Sequence, residues 1–370
     1  MEHFAWIEKL NYSKFVGPFI LESDNQYFSS LENKLKELVD ELTLCGAESD
    51  ILDVAERFSN RVIASIDLYY KGDIIKSQTI INELINDFSD DNEYAISGIN
   101  TGIAFPGYSQ DNLEVQFFRA RLNDIVEDFP ARQMLHIPFS KREIVKSERF
   151  SIPGLPCLYL GNSSYACWIE MGRPADYRFN VSPVILDNTQ KVLNLAVSIT
   201  EFQMYQQLDS QVDISIFKDD IVTLLKLVIL NICTSYKIQN KNQNFKSEYI
   251  ISQMIMLACK NRGLDGVAYL SKQVNSEIFA SIVGVNLALF AKYNGEDELS
   301  EICNHIEIGD SFNYSMYKQL LPSLKYKDYK LRIDTSLYIK NIGTFDRQFP
   351  YRETEFYGFD KYLFANWNRE

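Results

Sequence analysis

The sequence predicts an α+β protein, in which a helical N-terminal region precedes a region of short strands. Two patterns support this prediction. Leucines recur every three or four residues from Leu31 to Leu42, which is the spacing of one face of a helix. Further along, short apolar runs at 155–160 and 266–270 are bounded by glycine or proline, as buried strands are. We therefore expect a central α+β region with two packed sheet regions and flanking helices.

Residues 1–110 are predicted to form a helical N-terminal domain. Three helices are expected, over 29–45, 51–70 and 73–88. A nuclease of the helical HEPN type needs a histidine shortly after an arginine on one helix, but none follows Arg57 or Arg61. We interpret the region as a helical bundle for docking or dimerisation, because amphipathic helices mostly serve packing.

The acidic composition argues against non-specific binding to nucleic acid. The chain of 370 residues has 50 acidic and 37 basic side chains, which gives a formal net charge of −13. Such a charge repels a phosphate backbone, and Asp328 interrupts the most basic segment, 325–332. No nucleic-acid partner is therefore expected.

The sequence also lacks the usual signals of a metal site or a membrane anchor. The six cysteines form no Cys-x-x-Cys pair, and the three histidines are far apart, so buried free thiols and no metal are expected. His136 is expected to be packed and hydrogen-bonded rather than to act as a general base. The most apolar run, 221–233, is shorter than the ~20 residues that span a bilayer. With no basic start followed by an apolar run, a cytoplasmic protein without a membrane partner is expected.

A predicted strand over 115–121 ends in two arginines, Arg119 and Arg121. Their side chains share one face, because side chains alternate along a strand. One of these arginines can enter a pocket while the other pairs with Asp124 or Glu127, and the alternative is that they form only a surface ion pair. Both alternatives are open from the residues alone.

A central stretch places Arg149, Tyr159 and Glu170 around one predicted strand. A turn rich in proline and glycine follows the arginine, and a buried strand over 155–160 contains the tyrosine. A serine is expected to cap a short helix over 165–171, near whose end the glutamate lies. A cation and an acid on opposite flanks of one strand suit a charged ligand.

The same stretch resembles the RES-domain family, which is named for its arginine, glutamate and serine. The resemblance lies in the order Arg149, Pro-Gly, a Leu-Tyr-Leu strand around Tyr159, serine and Glu170. A second segment ends in Ser271 and is followed by Asn-Leu-Ala-Leu-Phe at 286–290, which is similar to the closing pattern of the family.

The resemblance implies a RES-like domain at 111–295, with a fold similar to that of ADP-ribosyltransferases. The family includes toxins that destroy NAD, so the resemblance implies NAD as the substrate. The implied catalytic residues are Glu170, Ser271 and Tyr159. The implied NAD-binding residues are Arg149, Tyr159, Arg119 and Ser271.

The chemistry of these residue types suits cleavage of the nicotinamide–ribose bond. A planar guanidinium binds a diphosphate, and a tyrosine ring stacks on a base or a nicotinamide. A carboxylate stabilises an oxocarbenium-like ribose as the glycosidic bond breaks. We predict an NAD-consuming enzyme that uses water or phosphate as the acceptor and serves as a toxin or defence effector. Transfer of ADP-ribose to a protein and nucleotide binding without turnover are the alternatives.

Each site residue also has a structural interpretation that needs no ligand. In that interpretation Arg149 pairs with Glu148 or Glu143 on the surface, Tyr159 is core, Glu170 is a solvated helix residue beside Arg173, and Ser271 is a turn residue.

Residues 296–370 form an aromatic-rich C-terminal extension. Stacking on nucleobases is one use of such rings, but the acidic chain favours packing on the core or on a partner subunit. Besides NAD, the expected partners are a second copy of the chain and an antitoxin or regulatory protein.

Overall fold

A computed structural model describes most of the chain. The described residues are 4–99, 114–187, 189–207, 214–240, 245–273, 284–321, 342–344 and 347–367. The segment over 93–112, whose glycines and proline predict a loop, lies largely outside them.

Helices and short strands alternate along the described residues. The α-helices are α1 (Trp6–Lys9), α2 (Tyr27–Cys45), α3 (Ser49–Tyr70), α4 (Ile74–Asn86), α5 (Ala131–Met134), α6 (Ser164–Glu170), α7 (Lys218–Thr234), α8 (Ile250–Arg262), α9 (Tyr314–Leu320) and α10 (Glu355–Ala365). The strands are β1 (Phe19–Leu21), β2 (Ile96–Gly98), β3 (Glu114–Leu122), β4 (Cys157–Gly161), β5 (Phe179–Asp187), β6 (Lys191–Leu195), β7 (Tyr236–Ile238), β8 (Gly266–Leu270), β9 (Val285–Phe290), β10 (Ile306–Ile308), β11 (Phe312–Asn313), β12 (Ile342–Thr344) and β13 (Arg347–Phe349). The α+β class predicted from the sequence is confirmed.

The chain divides into two compact units, and each is built from separate stretches of sequence. The first unit comprises Met1–Ile96, Ser147–Phe150 and Leu193–Leu264. The second comprises Ser97–Lys146, Ser151–Val192 and Asp265–Glu370.

The first unit is a helical assembly in which the N-terminal helices pack with two helices from the middle of the chain. Helix α4 contacts α8, and α3 contacts α7. The apolar side chains of α7 are buried nearly all round, as the sequence predicts for a helix without a polar face. Two side chains bond to the main chain of the later segments: the Tyr27 hydroxyl donates to the Cys233 carbonyl at 2.9 Å, and Gln78 Nε2 donates to the Met254 carbonyl at 3.0 Å.

The predicted division into domains 1–110, 111–295 and 296–370 stays a prediction. The two compact units have different boundaries, since α7 and α8 belong with the N-terminal helices. The physical reason is that apolar helices pack with whichever partners cover them, regardless of their order along the chain.

The second unit is built on an antiparallel sheet. Its strands neighbour one another in the order β10, β5, β3, β4, β9, β8, and β11 also pairs with β5. The expectation of two packed sheet regions is wrong for these strands, because β3 pairs with both β5 and β4 and so joins them in one sheet. Strands β12 and β13 form a separate hairpin.

The C-terminal aromatic residues pack on this sheet. Tyr314, Tyr317 and Phe359 are buried in one cluster with Phe118 and Phe179 of the sheet. These rings of the aromatic extension therefore lie in the core of the second unit, and the role of the whole extension stays a prediction. Four further aromatics of the extension lie outside the described residues: Tyr326, Tyr329, Tyr338 and Phe345.

Three further sequence expectations concern residues that the structure describes. The cysteines are buried at five positions, and Cys303 is half-buried. Across the described ranges, no helix is long and apolar enough to cross a membrane. The same ranges contain no group of three or more histidine, cysteine, aspartate or glutamate side chains placed to hold a metal ion.

Candidate functional site

One face of the second unit's sheet carries two of the predicted site residues. In the register of β4, β9 and β8, Gly161 pairs with Asn286, which pairs in turn with Tyr269. Paired residues share a face, and so do residues two apart along a strand. Tyr159 therefore lies on the same face as Asn286 and Tyr269. Ser271, two residues after Tyr269, continues this row just beyond the end of β8.

Helix α6 lies on this face, directly over Gly161. A Cβ atom added at Gly161 would lie only 2.8 Å from Cys167 Sγ and 3.2 Å from the Cys167 backbone nitrogen. The helix begins after Ser163, whose hydroxyl accepts the Ala166 N–H at 3.0 Å, and it ends at Glu170. The cap and the position of Glu170 at the helix end agree with the sequence expectation.

The carboxylate of Glu170 is oriented by an amide from the sheet. Asn286 Nδ2 donates to Glu170 Oε1 at 2.9 Å. Asn286 is buried, with 3% of its surface exposed, whereas Glu170 is half-buried. A half-buried carboxylate that is held by a buried amide differs from the solvated helix residue of the structural interpretation. The arrangement leaves a negative charge fixed above the β4–β9 strand pair.

Tyr159 is also fixed by side chains of its own unit. It is half-buried, and its hydroxyl lies 3.0 Å from Ser151 Oγ. The Tyr159 hydroxyl is therefore hydrogen-bonded to a serine side chain, whereas a tyrosine that only fills the core needs no such partner.

Ser271 makes local hydrogen bonds at the end of β8. Its backbone N–H donates to the Gly284 carbonyl at 3.2 Å, and its hydroxyl oxygen accepts the Gln273 N–H at 3.2 Å. This second bond is that of a serine turn. The turn interpretation thus has direct support, and the catalytic role of Ser271 stays a prediction.

Arg119 lies on the other face of the sheet. Phe118 pairs with Gly161, so the next residue along β3 points away from the face that carries Tyr159. The Arg119 guanidinium donates to the Met134 carbonyl at 3.2 Å and to the Tyr159 carbonyl at 2.9 Å. Burial lowers the pKa of Arg119 to about 10, and the nearby charge of Arg121 acts in the same direction.

The contacts of Arg119 favour neither a role in a ligand pocket nor a surface ion pair. Arg121 Nη2 donates to the Leu135 carbonyl, and Asp124 pairs instead with Arg178 at 2.7 Å. The structure gives Arg119 and Arg121 a role in holding the main chain. Binding of NAD by Arg119 stays a prediction.

Arg149 belongs to the first compact unit. Only 6% of its surface is exposed, which argues against the surface ion pair of the structural interpretation. Its guanidinium carbon lies 5.3 Å from the centre of the Phe150 ring. A buried guanidinium is costly to place, and such groups are often found where an anion binds.

Two buried asparagines lie in or directly after the strand pair below α6, and the sequence interpretation did not assign either to the site. Asn286 opens the Asn-Leu-Ala-Leu-Phe segment that carries the family resemblance, so that segment was the available signal. Asn162 follows Gly161, and its backbone N–H donates to the Val285 carbonyl at 3.3 Å. Its side-chain amide is buried and has no hydrogen-bond partner within the described part of the chain.

His136 is a packed histidine, as predicted. Its Nε2 accepts the Ser300 N–H at 2.9 Å, and its Nδ1 lies 2.8 Å from the Ile137 carbonyl. These bonds fit a neutral ring that donates from Nδ1. Burial lowers the pKa of His136, and the positive charge of Arg119 adds to this effect. Both ring nitrogens are engaged, so the ring is poorly placed to accept a proton from a substrate.

No known family model matches the chain. A search of curated proteins gives a relative from Bacillus subtilis (strain 168) named "Putative toxin YopC", which is 31% identical over 262 residues. The match covers 67% of this chain and 56% of the relative, so the chain spans little more than half the length of that protein. Among solved structures, a chain of the M. tuberculosis MbcT–MbcA toxin–antitoxin complex is similar over 56% of this chain and 88% of that chain. The sequence identity is 15% and the TM-score is 0.28.

Proposed function

We propose that the chain is an NAD-consuming enzyme that cleaves the bond between nicotinamide and ribose. The observation that supports this most directly is the hydrogen bond from Asn286 Nδ2 to Glu170 Oε1, at 2.9 Å. It holds a carboxylate on the sheet face that also carries Tyr159, in the segments that resemble the RES-domain family. A carboxylate with a fixed position can stabilise positive charge that develops on a ribose ring.

Each proposed role follows from the chemistry of the side chain. Glu170 stabilises the cationic ribose as the nicotinamide leaves, since a preorganised charge needs little rearrangement during the reaction. Asn286 keeps that carboxylate oriented. Tyr159 packs on a ring of the dinucleotide, and Ser271 lines the same row of the sheet. Binding of the diphosphate by Arg149, which belongs to the first compact unit, stays a prediction, and it rests on the planar guanidinium, whose shape suits a diphosphate.

We further propose that this activity makes the chain a toxin. The supporting observation is the name of its Bacillus subtilis relative. Loss of NAD is harmful in the compartment that holds the cell's NAD, which places the proposed activity in the cytoplasm. A toxin of this kind needs a means of restraint, so a neutralising protein is the proposed partner.

The first test is incubation of the purified chain with NAD, followed by identification of every product. Free nicotinamide with ADP-ribose indicates hydrolysis, and nicotinamide with a phosphorylated ADP-ribose indicates phosphorolysis. Protein labelled by a tagged NAD indicates transfer. Binding of NAD with no release of nicotinamide would contradict the proposal and favour a binding module.

Glu170→Gln tests the proposed role of the carboxylate. The substitution keeps the shape and removes the charge, so kcat is expected to fall by about 10²–10³ while KM changes little. Nicotinamide release measured by chromatography gives both constants. The exposed Glu143 provides a matched control, because Glu143→Gln makes the same chemical change away from the site. Unchanged turnover in Glu170→Gln would remove the carboxylate from the mechanism.

A further inference from the structure

A buried acid on the C-terminal helix is bonded to the helix that carries Glu170. Asp360 lies in α10, and 1% of its surface is exposed. Its Oδ1 accepts the backbone N–H of Ser164 at 3.1 Å, and its Oδ2 accepts the Tyr351 hydroxyl at 2.5 Å. Ser164 is the first residue of α6, whose last residue is Glu170.

Apolar contacts from the same C-terminal segment cover the rest of α6. Tyr165 and Ile169 of α6 form a buried cluster with Tyr351, and Trp168 and Phe356 pack against it. The ring centres of Trp168 and Phe356 are 5.4 Å apart. Helix α6 is therefore held between the sheet, through Gly161, and the C-terminal segment.

The length of α6 determines how far Glu170 moves if the first residue of the helix changes its direction. At a rise of 1.5 Å per residue, the seven residues of α6 span about 10 Å. Rotation of such a rod by about 10° about its first residue moves its far end by about 2 Å. A misplacement of about 1 Å in a catalytic group can cost about 10² in rate. A rotation of that size at Ser164 would therefore be enough to change the rate through Glu170.

The neighbours of Asp360 indicate that this is a specific arrangement rather than a loosely placed charge. Among the described residues, Tyr351, Cys167 and Tyr314 each have a pKa that is raised mainly by burial and further by the charge of Asp360. All three are neutral near pH 7. A buried acid among neutral groups is costly, and replacement by an apolar residue would remove that cost. Its hydrogen bond to the first N–H of α6 gives a reason for its presence.

We propose that Asp360 is a positioning residue, which fixes the N-terminal end of α6 and so places the Glu170 carboxylate. This inference rests on the proposed role of Glu170. It also gives the C-terminal extension a function in the reaction, although none of its residues is proposed to touch NAD. Protonation of Asp360 leaves the role intact, because Oδ1 still accepts the Ser164 N–H while Oδ2 donates to the Tyr351 oxygen.

The test compares two substitutions at Asp360 in the full chain. Asp360→Leu has a similar size but no acceptor for the Ser164 N–H, so kcat for nicotinamide release is expected to fall about 10- to 100-fold with KM within about threefold. Asp360→Asn retains an acceptor oxygen and is expected to keep kcat within about fivefold of the parent. Glu353→Gln is the matched control, since Glu353 is an exposed acid of the same segment.

The outcomes separate this inference from the proposed function. A parent chain that releases no nicotinamide contradicts the proposed function itself. If the parent is active and Asp360→Leu folds but keeps the kcat of the parent, only the positioning role is overturned. The positioning role is also overturned if Asp360→Asn loses as much kcat as Asp360→Leu. If Asp360→Leu does not fold, Ser163→Ala loosens the same end of α6 by removing its cap, and kcat should then fall about 3- to 10-fold. An unchanged kcat in folded Ser163→Ala also overturns the inference.

Discussion

At the scale of single residues, burial determines which polar side chains in or next to the β4–β9 strand pair need a hydrogen-bond partner. Asn286 is buried and donates to the carboxylate. Asn162 is equally buried, but its amide nitrogen and oxygen have no partner within the described residues. A buried amide without hydrogen bonds costs about 1–3 kcal/mol. A ligand that offers both an acceptor and a donor would offset this cost.

Asn162→Leu is the prediction for this residue. If the amide pairs with the carboxamide of nicotinamide, the variant should lose about 5- to 100-fold in kcat/KM for NAD. The parent should prefer NAD to its nicotinic acid analogue, whose carboxylate cannot donate to Asn162, and the variant should lose most of that preference. Steady-state kinetics on both dinucleotides measure this. An equal preference in parent and variant would show that Asn162 does not recognise the amide.

At the scale of elements, the packing of α6 on β4 depends on the missing side chain of Gly161. The nearest atoms to an added Cβ would be Cys167 Sγ at 2.8 Å and Cys167 N at 3.2 Å. The helix would have to move to make room. Since Glu170 lies at the end of this helix, its carboxylate would move as well.

Gly161→Ala is therefore expected to lower kcat more than it raises KM, and to destabilise the fold by about 1–3 kcal/mol. Removal of the sulfur in Gly161→Ala/Cys167→Ala should restore part of both losses, because Sγ makes the closest contact. Cys167→Ala alone is the control. Urea denaturation and nicotinamide release measure the two effects. A double variant no better than Gly161→Ala would assign the clash to the backbone.

The contact between α10 and α6 also predicts a dependence of stability on pH. Burial raises the pKa of Asp360 to about 7, against an ordinary value of 3.8 in the unfolded chain. Between these values the folded chain holds a proton that the unfolded chain has released, so rising pH favours the unfolded chain. The contribution of this group to stability is thus present below about pH 4 and is lost as the pH rises to about 7.

The prediction is stated as a difference between the parent and Asp360→Asn, because the asparagine does not titrate. The free energy of unfolding of the parent should fall relative to that of the variant from pH 4 to pH 7, by a few kcal/mol at about 1.4 kcal/mol per pKa unit. The difference should be constant above about pH 8. Urea denaturation across this range measures it. A difference that does not change with pH would show that Asp360 has an ordinary pKa.

At the scale of the whole molecule, the first compact unit is assembled from three separate stretches of sequence. Helices α7 and α8 expose little apolar surface because they pack with the N-terminal helices. Three consecutive domains would instead allow residues 111–295 to fold alone. The compact units and the three consecutive domains therefore predict different stabilities for a chain that lacks the N-terminal helices.

A chain that begins at residue 97 is expected to lose cooperative unfolding and to aggregate, because α7 and α8 would expose their apolar side chains. Circular dichroism during heating and size-exclusion chromatography measure these properties. Addition of residues 1–96 as a separate chain should restore a soluble complex in part. A monomeric, cooperatively folding truncated chain would support the three consecutive domains.

The sequence alone predicts the elements that depend on local pattern. The helical spacing of leucines predicts α2, and the turn before Leu155 predicts the strand that contains Tyr159. The serine cap predicts α6 with Glu170 at its end. These features depend on residues a few positions apart, so each segment carries its own signal.

Only the tertiary structure determines which of these residues meet. The bond between Asn286 and Glu170 joins residues 116 positions apart, and the face on which Arg119 lies depends on the pairing of Phe118 with Gly161. The grouping of α7 with the N-terminal helices is likewise set by packing between distant segments. Strand register and helix packing come from contacts between residues that are far apart in sequence, and a shift of one residue reverses the face of every side chain on a strand. For that reason the sequence indicates the chemistry of Glu170, while the fold decides that Asn286 orients it.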